Sequence, residues 1–155
     1  MSLKEYKEKR NFRRTPEPIE SKAKKKSDGL AYVIQKHDAS HLHFDLRLEE
    51  GGVLKSWAIP KLPPQEEGIR RLAVETEDHP LGYQNFEGSI PEGEYGAGKV
   101  EIWDKGTYIP METEAAKRIF ETRGEKLRGQ YCLIKLKPKD PEDKNWVFFK
   151  LKSPL

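Results

Sequence analysis

From Leu30 onward glycine and proline cut the chain into short segments in which apolar and polar residues alternate, and this period of two constrains the fold more than any other feature. Ala31 to Lys36, His41 to Leu48, Val53 to Ile59, Arg71 to Glu77, Lys99 to Asp104, Gln130 to Lys137 and Trp146 to Leu151 read as strands. Glu49-Glu50-Gly51-Gly52 is a hairpin turn, Pro60 to Gly68 a loop, and His79-Pro80 is expected to stop the fourth strand. Thr113 to Arg123 breaks the pattern and predicts a short helix, with Gly124 at its C′ position. Short strands at this spacing predict a mainly β chain, a sandwich or a small closed barrel. With 155 residues there is material for one core. The expected organisation is a basic N-terminal arm over residues 1–29, followed by a β domain over residues 30–155.

Charge separates the same two parts. Residues 1–28 hold ten Lys/Arg against five Asp/Glu, whereas the remainder is slightly acidic, so the overall charge of +3 belongs to the arm. Lys22, Lys24, Lys25 and Lys26 lie in a stretch without apolar periodicity, a solvated linker or a contact for a polyanion. No apolar run approaches the roughly 18 residues of a membrane span, and no apolar stretch follows the basic start as in a signal peptide, so no membrane partner is expected. The lone Cys132, set in an apolar strand, is expected to be a buried inert thiol, and the chain is expected to be cytoplasmic.

The second strand carries the chemistry. Alternation puts Leu42, Phe44, Leu46 and Leu48 on a core face and His41, His43, Asp45 and Arg47 on the other. Residues two apart on a strand are roughly 6.5 to 7 Å apart, close enough for His43 and Asp45 to share one metal ion with His37 from the neighbouring strand. Two nitrogens and one carboxylate leave open positions on a divalent ion, as hydrolytic and redox metals both need. The plainer alternative is an incidental hydrogen-bonded His-x-Asp pair. His79, at a strand end near Tyr83, is placed to act as a general acid or to bind phosphate. Gly88, Gly93, Gly96 and Gly98 fit neither the dinucleotide fingerprint nor the P-loop and are read as turns.

Taken together these residues resemble the 3′-phosphoesterase domain of the bacterial non-homologous end-joining enzyme DNA ligase D and its stand-alone relatives. The resemblance runs through Gln35-Lys36-His37-Asp38-Ala39, Leu42-His43-Phe44-Asp45-Leu46-Arg47-Leu48 and Gly52 to Lys61. It continues through Arg71-Leu72-Ala73-Val74, Glu77-Asp78-His79-Pro80-Leu81, Tyr83, Phe86-Glu87-Gly88, Ile90 to Gly98 and Trp103-Asp104-Lys105-Gly106. Arg10 to Pro18 is similar to the family's N-terminal active-site segment. The resemblance implies a small closed β-barrel and a DNA repair hydrolase dependent on manganese (Mn2+), other divalent transition metals suiting the same ligands. Such an enzyme removes a 3′-terminal ribonucleoside as a phosphodiesterase, then the 3′-phosphate as a phosphomonoesterase, leaving a 3′-hydroxyl. By position it implies His37, His43 and Asp45 as metal ligands. Arg47, His79 and Tyr83 are implied at the scissile phosphate, with Arg10, Glu17 and Arg71 in support. The family usually has aspartate where this chain has Asn11, and no essential role is expected for His41.

Two other readings of the same residues stand beside this one: a mononuclear iron oxygenase using the same triad, and a non-catalytic module that binds nucleic-acid ends. Under the enzyme reading the implied partners are primer-template DNA ending in a 3′ ribonucleotide or 3′-phosphate, with a DNA ligase and a polymerase acting in trans. The arm, residues 1–9 included, is expected to serve affinity rather than chemistry. Neutralising Lys22, Lys24, Lys25 and Lys26 should therefore weaken duplex binding most at low salt. The slope of log affinity against log salt should flatten by about 0.9 for each duplex phosphate that the arm no longer neutralises, and an unchanged slope would return the lysines to a solvated tail.

Overall fold

The computed structural model describes residues 3–18 and 29–152, so the expectation for Lys22 to Lys26 lies outside the described residues. Among the described residues nine strands follow a five-residue helix, α1 (Lys4–Glu8). They are β1 (Leu30–Asp38), β2 (Leu42–Glu50), β3 (Val53–Ile59), β4 (Arg70–Pro80), β5 (Gly88–Ile90), β6 (Gly98–Glu114), β7 (Lys117–Arg123), β8 (Arg128–Lys135) and β9 (Asn145–Lys150). Neighbours run antiparallel in the order β1-β2-β3-β4-β9-β8-β7-β6, and β6 pairs back onto β1, which closes eight strands into a barrel. The 17-residue β6 makes closure feasible, pairing with β1 from Lys99 to Tyr108 and with β7 from Thr107 to Glu114. The three-residue β5 hangs on the start of β6, outside the ring.

Alternation sorts the side chains as the sequence implies. Tyr32, Ile34, Phe44, Leu46, Leu48, Trp57, Ile59, Phe120, Tyr131, Trp146 and Phe148 fill the barrel, each large side chain contributing roughly 1.5 to 3 kcal/mol on full burial. Leu42, expected in this core, sits at the barrel's end and is 46% exposed. Cys132 is buried, as expected. A second apolar layer forms outside the barrel, where α1, a 3-10 helix (Leu81–Asn85) and β5 roof β1 and β3 with Tyr6, Leu81, Tyr83, Phe86 and Ile90 around Ala31 and Leu54.

Three expectations need correction. Thr113 to Arg123 is no helix: β6 runs on to Glu114 and β7 follows, with Arg118, Phe120 and Thr122 alternating inward. Because β7 bridges β6 and β8 along its whole length, a helix there would leave the barrel open, and ladder pairing overrides local propensity. Gly124 consequently caps nothing; a Cβ on it would run into the Asp104 carboxylate and the Tyr32 ring, so glycine is required by close approach. Second, β4 continues through His79 to Pro80, whose extended backbone opposes Val53 and leads into the 3-10 helix. Third, the start of the chain is more than a tail, since Tyr6 of α1 is fully buried against His79 and Tyr83.

Asp104 anchors the turn that returns the chain into β8. Its buried carboxylate accepts the Tyr32 hydroxyl at 2.8 Å and the backbone N–H groups of Glu125, Lys126 and Leu127 at 2.8, 3.0 and 2.9 Å. Asp104→Ala leaves four donors in or near the core without this acceptor, each worth about 1 to 3 kcal/mol when buried and unpaired. Urea unfolding should show a loss of at least about 3 kcal/mol, whereas a loss under about 1 kcal/mol would mean that water replaces the carboxylate.

Candidate active site

Register brings the polar face of β2 together with its neighbours. His37 lies opposite His43, Gln35 opposite Asp45, and Arg47 opposite Ser56, so three strands deliver their outward side chains to one patch. A bulge supplies the fourth strand. Leu54 pairs with His79 but Ser56 with Thr76, two steps along β3 against three along β4. The extra residue reverses the alternation, so that Thr76, Glu77 and His79 all border one cavity of about 230 Å³. Arg10, Glu17, His37, His43, Asp45, Arg47, Tyr83 and Tyr95 complete its charged and aromatic lining.

The three expected ligand residues converge. Single ligand atoms of His37, His43 and Asp45 lie within 4.8 Å of one another. Each imidazole commits one N–H to backbone, His37 Nε2 to the Gly96 carbonyl at 2.7 Å and His43 Nδ1 to the His41 carbonyl at 2.9 Å. The other nitrogens face the same carboxylate oxygen, His37 Nδ1 at 3.6 Å and His43 Nε2 at 3.3 Å from Asp45 Oδ2. In neutral rings these nitrogens carry lone pairs, and three electron-rich atoms with no proton between them fit a divalent cation. Burial alone would raise the Asp45 carboxyl, but the Arg47 guanidinium and the two imidazoles outweigh it and hold the group far below the usual carboxylate range. Burial also opposes a charged His43, and the Asp45 carboxylate overcomes it, raising that imidazole.

Two buried guanidiniums flank the triad. Arg47 Nε donates to Gln35 Oε1 at 2.7 Å and Nη1 to Ser56 Oγ at 2.8 Å, while Nη2 lies 3.4 Å from Asp45. Gln35 is held in turn by donating to the carbonyls of Tyr83 and Phe86. Arg10 pairs with Glu17 at 2.9 Å and Glu77 at 3.2 Å, and its Nη2 reaches His79 Nε2 at 3.3 Å. Tyr83 donates its hydroxyl to Glu17 at 2.6 Å. His79 donates Nδ1–H to the Glu77 carbonyl at 2.9 Å, so Nε2 accepts from Arg10. Burial first, then Arg47 and Arg10, push the His79 imidazole well below its ordinary value. That direction favours the neutral ring, with Nδ1–H given to the Glu77 carbonyl.

Not every expected residue arrives. Arg71 lies outside the cavity lining, across from Phe148, with Nε donating to the Leu62 carbonyl. Asn11 is exposed and accepts the Arg13 N–H at 3.1 Å, a turn contact aspartate would make equally well. His41 lends the site only its backbone carbonyl. Conversely, Tyr6, Lys9, Gln35, Ser56 and Glu77 are absent from the expected set of site residues, yet they hold the arginines and cover His79. Gln35 is accessible to alternation, since it shares a face with His37. Glu77 is hidden by the bulge, and Tyr6 and Lys9 by the absence of any local signal for where the N-terminal segment docks.

Comparison with known proteins agrees with this geometry. A family profile described as the DNA Ligase D 3′-phosphoesterase domain matches residues 35–135. The multifunctional non-homologous end joining protein LigD of Pseudomonas aeruginosa is 49% identical over 157 residues, covering 97% of this chain and 19% of that protein. LigD of Mycobacterium bovis is 43% identical over 155 residues, covering 97% and 20%, and LigD of Mycolicibacterium smegmatis is 43% identical over 162 residues, covering 97% and 21%. The chain thus spans about a fifth of the length of the curated relatives it matches. Similarity at this level across nearly the whole barrel and its N-terminal segment makes the chain a member of the DNA ligase D 3′-phosphoesterase domain family.

Proposed function

We infer that the chain heals DNA 3′ ends in non-homologous end joining as a manganese-dependent phosphoesterase, first releasing a 3′-terminal ribonucleoside and then the 3′-phosphate. The observation that carries this reading is the convergence of His37, His43 and Asp45 beside two buried arginines in one cavity. Two arginines and three carboxylates line that cavity, so with neutral imidazoles its fixed charge is −1, and a divalent ion turns it to +1, the sign that attracts a phosphodiester. His37, His43 and Asp45 would hold such an ion, which would supply positive charge to phosphoryl oxygens and acidify a water.

The chain's own residues do the rest. Arg47, clamped by Gln35 and Ser56, keeps Nη2 toward the triad, where it stabilises charge building on nonbridging oxygens without reorganising. Arg10 is held by four partners, Glu17, Glu77, His79 and the Tyr6 carbonyl, and presents a second pre-positioned guanidinium. His79 acts by orienting Arg10 as an acceptor, and Tyr83 by locking Glu17. The oxygenase alternative gains nothing from two guanidiniums beside the triad, which suit an anionic ester better than an oxidisable co-substrate. The ligase and polymerase that use the healed end complete the proposal.

A 5′-labelled primer-template ending in one ribonucleotide tests this reading. With manganese the parent should yield a 3′-phosphate and then a 3′-hydroxyl, and an all-DNA end should react far more slowly in the first step, because only the 2′-hydroxyl tells the two apart. Equal rates on both ends would refute the discrimination, and binding without any product would favour the end-binding module. His37→Ala, His43→Ala and Asp45→Ala should each abolish turnover and lower manganese occupancy by elemental analysis while the barrel stays folded; a variant with full activity removes its residue from the ligand set.

Burial of neutral His79 also predicts a pH dependence of stability. Between its depressed folded value and the ordinary value near 6.5, the unfolded chain binds a proton that the folded chain excludes. This contribution is complete above about pH 6.5 and is lost as pH falls, by up to about 1.4 kcal/mol per pH unit. Denaturant titrations between pH 7 and 5 should show a shallower loss for His79→Gln than for the parent. Parallel pH profiles would place the excluded proton on another group.

A further inference from the structure

Tyr95 is the one aromatic ring at the cavity for which the end-healing reading above has no use. It is 48% exposed, whereas Tyr83 in the same lining is buried. Its loop is fixed at several points. Gly93 and Gly96 take positive φ of 87° and 76°, conformations that favour glycine, and backbone bonds from Glu94 to Pro91 and from Ala97 to Glu94 hold the turn. The next residue, Gly96, accepts the Nε2–H of His37, so about 3.8 Å of chain separates the Tyr95 Cα from a residue bonded to a triad member. Arg14 reaches Glu94 at 3.4 Å and ties the loop to the N-terminal segment.

The ring is also electrostatically prepared. Lys9 Nζ lies 4.8 Å and the Arg10 guanidinium 5.4 Å from its centroid, and both cations are drawn to that side by Glu77. The ring lines the cavity, and about half of it stays open to solvent. A half-open aromatic ring in the lining of a cavity that also holds two guanidiniums and the metal triad suits a stacked nucleobase.

We propose that Tyr95 is the stacking platform for the nucleobase of the 3′-terminal nucleotide, placing its sugar and phosphate over the triad. The proposal rests on the end-healing reading and assigns the base contact within it. Stacking is tolerant of base identity, because every base has a π-face, so this contact lets one site accept any terminal base while the 2′-hydroxyl is read separately. If Tyr95 served only to brace Lys9 and Arg10, its replacement would act alike on ends with and without a base.

The experiment uses primer-template ends carrying either 2-aminopurine or an abasic ribose analogue at the terminal position, with parent, Tyr95→Phe and Tyr95→Leu. With manganese and a deoxy-terminated end, which reacts slowly in the first step, the parent and Tyr95→Phe should quench the 2-aminopurine fluorescence, and Tyr95→Leu should not. With manganese, Tyr95→Leu should raise KM about tenfold on the base-bearing end, removal of the base should raise the parent's KM similarly, and the two changes together should add less than about twofold. Equal quenching by parent and Tyr95→Leu, or an equal KM change on both ends, would overturn the stacking role while end healing stands. Quenching that depends on Tyr95, without hydrolysis of any end, would support the platform and refute the end-healing reading. Neither quenching nor hydrolysis by the parent would overturn both.

Discussion

The pairing of β1 with β6 is the constraint on which everything else rests. One edge of β1 bonds β2 and the other bonds β6, so this strand both closes the barrel and places His37 opposite His43. Closure removes the free edges of an open sheet and fixes the twist between neighbours. A triad spread over two strands needs that rigidity, since a slip of one residue in the β1–β2 register would turn His37 toward the core and Ile34 toward solvent. Fold and site are here a single problem of strand register.

Burying two guanidiniums is costly unless each N–H finds an acceptor. The solution is local at Arg47, where Gln35 and Asp45 come from the two strands that carry the triad and Ser56 from the adjacent β3, one acceptor for each guanidinium nitrogen. At Arg10 it is distributed: Glu17 and Tyr6 come from the N-terminal segment and Glu77 and His79 from β4, so the segment and the barrel hold each other through one side chain. Glu77 shows the balance, since burial would raise its carboxyl and its own backbone, Arg10 and Lys9 more than reverse this.

Alternation on β2 makes the triad and Arg47 legible in the sequence, because a strand's two faces follow directly from its spacing. Local pattern misleads at Thr113 to Arg123, where an acidic start and a following glycine imitate a helix and only the need to bridge β6 and β8 decides otherwise. Arg71 rests on resemblance alone and lies off the cavity, while Glu77 and Tyr6 enter the site through a bulge and a docking event that no local pattern encodes. The core is predictable from period; the electrostatic support of the site is less so, because pairs such as Arg10–Glu77 and Tyr83–Glu17 join residues more than sixty apart in the chain.

The single extra residue of β4 between Thr76 and His79 works as a spacer that sets which way His79 faces. Substitutions around it can be absorbed by repacking, but loss of one residue would restore an even ladder and rotate His79 and everything up to the 3-10 helix by half a pleat. His79 would leave the cavity, Arg10 would lose the Nε2 acceptor it reaches there, and the turn that carries Tyr83 would shift with it. The spacing from Thr76 to His79 thus sets the phase of the site, just as Glu77 and His79 set its chemistry.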